Sequence, residues 1–120
     1  MSNPLEKKFN EYLKNIHHSL QVRVDAVEHI PFINQLLDRI ELIKRNFVLL
    51  RSEQEDVYTY TAHLRKLTIY TEETCRQVNE YASSNPDFIS PDDQLGDHFF
   101  MMSDLFSQSR NLIQSIYPEM

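Results

Sequence analysis

At 120 residues, with 41% apolar and 25% charged side chains, the chain has the length and composition of one folded domain spanning residues 1–120, not of a disordered tail or a fibre. Its longest apolar runs, Phe47-Val48-Leu49-Leu50 and Phe99-Phe100-Met101-Met102, fall far short of the roughly 20 residues that cross a bilayer, so no membrane partner is expected. The net charge of −6 argues against nucleic acid, whose phosphates need Lys and Arg; here 12 basic side chains are scattered among 18 acidic ones.

In the first segment Leu5, Phe9, Tyr12, Leu13, Ile16, Leu20, Val24 and Val27 recur three or four apart, which predicts a helix over roughly 4–29. Pro31 either ends that helix or opens the next as a first-turn residue. Ile33, Leu36, Leu37, Ile40, Ile43, Phe47 and Leu50 then predict a second helix over 32–51, with Asp38, Arg39, Glu41, Lys44 and Arg45 on its other faces. Ser52 and Glu55 have the spacing of a capping box, so a third helix is expected over 53–84. Nothing from Phe32 to Asn85 breaks a helix, and one continuous rod is the alternative.

The third segment carries Val57, Tyr60, Leu64, Leu67, Thr71, Thr74, Val78 and Tyr81 at helical spacing. Its β-branched and aromatic content also suits strands. A hairpin would have to turn through His63-Leu64-Arg65-Lys66, which has no turn chemistry, so the helix is kept. The threonines make this seam the weakest packing surface. Ser90-Pro91-Asp92-Asp93 is a helix start, and Leu95, Phe99, Met102, Leu105, Phe106, Leu112, Ile113 and Ile116 predict a last helix over 91–117. The fold class is therefore all-α: an antiparallel bundle of three to four long helices. With Ala at 26, 62 and 82 only, and Gly96 as the one glycine, close crossings through small residues are not expected.

Little in the chain points to chemistry. Cys75 stands alone, which excludes an intramolecular disulfide and a four-cysteine zinc site. Met1 to Lys8 has no apolar stretch before a small-residue cleavage site, so a cytoplasmic location is expected. No Glu-x-x-His or His-x-x-x-His pair occurs, and adjacent His17 and His18 point about 100° apart on a helix. Asp25 and His29 have the spacing of a surface ion pair. A chain with one glycine has no phosphate-cradling loop. No catalytic residue, metal ligand or cofactor is assigned.

Arg23 and His29 match the Arg-x(4–6)-His spacing of HEPN-type helical ribonucleases. Among 7 arginines and 5 histidines about one such match arises by chance, so an enzyme of that kind is kept only as the alternative.

Surplus hydrophobicity is the stronger signal. Phe99 to Met102 spans about 300° of a helix, more than one buried stripe needs. The expected partner-binding set is Phe99, Phe100, Met101, Val48, Leu49, Tyr58, Ile69 and Tyr70, of which Phe99 also fits the core face. These residues point to a non-enzymatic interaction module. It would pair with itself as a homodimer or with another helical chain, as a subunit, adaptor or immunity- or chaperone-type neutraliser. Acidic Asp92, Asp93, Asp97 and Asp104 would steer the encounter.

Overall fold

In the computed structural model the described residues are 4–21, 27–52, 56–88 and 95–116. They form four helices, α1 (Pro4–Gln21), α2 (Ile30–Ser52), α3 (Val57–Ser84) and α4 (Leu95–Ile116), with a 3-10 turn at Val27–His29 leading into α2. No strand occurs among the described residues. The all-α bundle is therefore the fold, and the 32–85 rod is not. A single helix over 32–85 would be about 80 Å long, whereas the long axis measures 48 Å. The contacts give the helix directions. Arg39 of α2 bonds Thr74 of α3, while Phe32, two turns earlier, stacks on Tyr81, two turns later, so the pair is antiparallel. Cys75, near the end of α3, bonds the Gly96 carbonyl at the start of α4, which makes α3 and α4 antiparallel as well.

The helix ends depart from the expected ones for local reasons. The first helix is described only to Gln21; the residues expected to extend it to 29 include 22–26, outside the described residues, and a 3-10 turn at Val27–His29. Pro31 opens α2 and does not close α1, since a first-turn proline loses no helical hydrogen bond. Ser52 is the last residue of α2, and 53–55 lie outside the described residues. The cap of α3 is Asp56, not Ser52. Its carboxylate accepts from the Tyr58 and Thr59 amides at 3.0 and 3.4 Å and from the Thr59 hydroxyl at 2.7 Å. These bonds favour the ionised form and hold the carboxyl below its ordinary range. The expected helix start at Ser90-Pro91 also lies outside the described residues, with α4 described from Leu95.

The core contains Phe9, Ile16 and Leu20 from α1, a row from Phe32 to Leu50 on α2, Leu64, Leu67 and Val78 on α3, and Leu95, Phe99, Met102 and Phe106 on α4. Three rings join three helices: Phe9 stacks on Phe47 at 4.0 Å, and Phe106 lies 5.7 and 6.2 Å from them. The threonine seam of α3 is buried. Thr61, Thr68, Thr71 and Thr74 each donate to the carbonyl one turn back at 2.7–2.8 Å. The hydroxyl is thereby satisfied inside its own helix, and the methyl is left to pack.

Two further residues join α3 to its neighbours. Arg39 does not decorate an outer face; it crosses to α3, donating to the Thr74 hydroxyl at 2.7 Å, the Tyr70 carbonyl at 3.3 Å and the Glu73 carboxylate at 3.2 Å. Gly96 packs against side chains of α3. A Cβ there would sit 2.6 Å from the Asn79 side-chain oxygen and 3.8 Å from Val78, so the Asn79 amide occupies the space a side chain at 96 would take.

Candidate functional site

Two regions at opposite ends of the bundle carry the features that packing alone does not require. One end holds the close of α2, the start of α3 and the close of α4. Here Val48 and Leu49 in the last turn of α2, and Tyr58 at the start of α3, are exposed as expected. Counting back from the Cys75–Gly96 contact puts Tyr58 level with the last two turns of α4. There Leu112 and Ile116 are 65% and 63% exposed. Both belong to the expected core stripe, and the structure removes them from it. The buried face runs through Phe99, Met102, Phe106 and half-buried Ile113; Leu112, next to Ile113, is turned about 100° away from that line. Val27 and Leu37 leave their expected seams in the same way and are exposed.

The other expected partner-binding residues divide. Phe100 is 61% exposed, and Met101 and Ile69 are also open; on the same register Ile69 lies level with them, at mid-height on α3 and α4. Phe99 is a correction. It has no exposed surface, because it shares the inward face with Met102 and Phe106. Tyr70 is a second correction: its ring is half-buried against the core, as the α3 position facing α2 requires. Of the acidic rim, Asp97 and Asp104 are exposed, while Asp92 and Asp93 lie outside the described residues.

The opposite end is built around His29. Its ring is buried, and both nitrogens are engaged: Nδ1 lies 2.7 Å from the Tyr81 hydroxyl and Nε2 3.1 Å from Asp87 Oδ2. The Glu28 carboxylate stands 3.9 Å from the same Nε2. The ring is wedged edge-on against Tyr81 and Phe88, and Phe32 stacks on Tyr81 at 3.9 Å and 2°. Local sequence explains the placement. Asn85 caps α3, its amide and side chain both donating to the Tyr81 carbonyl, and Phe88 N–H donates to the Asn85 carbonyl across Pro86-Asp87. A proline at the second position of such a turn is favoured, and the turn brings Asp87 and Phe88 under His29. The expected surface pair with Asp25 is not what holds His29: Asp25 lies outside the described residues, and the partners come from α3 and the turn after it.

Arg23 of the Arg-x(4–6)-His pattern also lies outside the described residues, and His29 offers neither nitrogen to solvent. Cys75 is half-buried; its thiol donates to the Gly96 carbonyl and accepts from Asn79. Burial raises the thiol above its ordinary range, the Asn79 bond opposing it and the Asp97 charge adding to it, so it is a poor nucleophile.

No protein-family model matches the chain, and no curated protein or solved structure matches it either. No helix among the described residues is long and apolar enough to cross a membrane. Function is therefore argued from the two ends themselves.

Proposed function

We propose that this protein is a non-enzymatic protein–protein interaction module whose apolar end pairs with a second copy of the chain. One observation carries the reading: Val48 and Leu49 of α2, Tyr58 of α3 and Leu112 and Ile116 of α4 are large apolar side chains that stay exposed in the folded chain, and Tyr58, Leu112 and Ile116 share one end of the bundle. Exposed apolar side chains scattered singly are ordinary, but a group of this kind marks a contact surface. Apart from the Tyr58 hydroxyl, these Val, Leu, Ile and Tyr side chains carry no polar group to orient a small substrate. They have the composition of the apolar centre of an interface, with charged side chains left at the rim.

Charge substitutions test this. Leu112→Asp and Tyr58→Asp should shift the sedimentation profile from dimer to monomer with helix content unchanged by circular dichroism. Phe100→Asp, at mid-height, should shift it less. If Leu112→Asp, Tyr58→Asp and Phe100→Asp all leave the association state of the wild type intact, the exposed apolar surface is not an interface.

A further inference from the structure

We propose that Glu28, His29 and Asp87 bind a divalent first-row transition-metal cation, independently of how the apolar end is used. The three side chains each offer one ligand atom, and all three atoms lie within 4.8 Å of one another. His29 Nε2 lies 3.1 Å from Asp87 Oδ2 and 3.9 Å from Glu28 Oε1. Metal bonds of about 2.0–2.2 Å set neighbouring ligands about 3.0–3.4 Å apart in octahedral or tetrahedral geometry, so modest movement of one exposed carboxylate completes the fit.

The histidine is prepared for this role. Its ring is fixed between Tyr81 and Phe88, and its far nitrogen is 2.7 Å from the Tyr81 hydroxyl. A metal-bound histidine characteristically donates its other N–H to such an oxygen, which fixes the ring and its tautomer. Without metal, Nε2–H donates to Asp87 and the Tyr81 hydroxyl donates to Nδ1. With metal, the proton resides on Nδ1 and is donated to the Tyr81 oxygen, leaving the Nε2 lone pair for the cation.

The carboxylates supply the second argument. Both are 66% exposed, and among the described residues neither has a Lys or Arg within 4 Å. A single Nε2–H hydrogen-bonds Asp87 and leaves Glu28 too far away to accept. A dication satisfies both at once. One imidazole and two carboxylates with no thiolate suit Zn²⁺ or Mn²⁺ and leave coordination positions for water. Bound there, the ion would clip the turn before α2 to the turn after α3.

The experiment is calorimetric titration of the chelator-treated chain with Zn²⁺, with thermal unfolding as a second readout. Wild type should bind one ion per chain at micromolar concentration and unfold at a higher temperature with zinc. Asp87→Asn and Glu28→Gln, both at exposed positions, should each weaken binding about tenfold or more. Tyr81→Phe should weaken it by about 10–100-fold through loss of the hydrogen-bonded acceptor. A His17→Ala/His18→Ala variant, removing the exposed pair on α1, should bind as wild type does. The proposal is overturned by wild type that binds no zinc at about 100 µM, by Asp87→Asn that binds as tightly as wild type, or by zinc binding that disappears with His17 and His18.

Discussion

The two ends of the bundle solve the problem of finishing a helical core in opposite ways. Near one end, Phe9, Phe47 and Phe106 pack ring against ring, while Val48 and Leu49 beside them and Tyr58, Leu112 and Ile116 nearer the tip are exposed. At the other, Phe32, Tyr81 and Phe88 surround a buried histidine whose nitrogens are both engaged, and the turn at Asn85–Phe88 closes over it. An end sealed by its own aromatic and polar groups needs no partner. An end that seals its rings but leaves apolar side chains outside them offers surface to a partner. The proposed association and the proposed ion site thus fall at different ends.

The largest expected effect lies at the apolar end. Phe47→Ala removes the ring that stacks on Phe9 and neighbours Phe106, and should destabilise the fold by about 3–5 kcal/mol in urea denaturation. Tyr81→Phe keeps the stacking on Phe32 but leaves His29 Nδ1 buried without its partner, at a cost of about 1–3 kcal/mol. If Tyr81→Phe proves the more damaging of the two, the polar end and not the phenylalanine trio anchors the bundle.

Acidification should separate the ends by smaller effects. Burial lowers the titration of His98, one turn into α4 at the polar end, below its ordinary value of 6.5, with the neighbouring Asp97 charge opposing the shift. An unfolded chain then takes up the proton before the folded one, so this stabilisation is present above 6.5 and is lost as pH falls through the lower folded value. Asp56, capping α3 at the apolar end, is held below its ordinary 3.8 by Thr59, so its contribution persists until the solution is far more acidic. Amide exchange should therefore show the start of α4 losing protection at milder acidity than the start of α3. Simultaneous loss at both ends would mean that neither group governs its own end.

Much of this was legible in the residues. Spacings of three and four fixed which faces turn inward, which is why Phe100, Met101, Val48, Leu49, Tyr58 and Ile69 are exposed where the surplus predicts. Local chemistry misled where two caps competed. Ser52 and Glu55 have capping-box spacing, but Asp56 accepts from two amides and a hydroxyl and is the stronger cap. Leu112 was misplaced because it stands about 100° round the helix from Ile113, which holds the buried line, and Ile116 because the last turn of α4 is left open. The His29 cluster had no local signal at all. Its partners lie 52 and 58 residues away, and only the packing of α2 against α3 and the turn at Pro86 brings them together. Gly96 was visible as the one glycine, but the neighbours that fill its space, Asn79 and Val78, come from another helix.

The most direct test of the central claim is the solution mass of the wild-type chain by light scattering across a concentration series. One chain weighs 14.3 kDa. If the apolar end is an interface between copies, the mass should rise toward twice that value with concentration, and Leu112→Asp should hold it at the single-chain mass. A wild type that stays at 14.3 kDa throughout contradicts self-association.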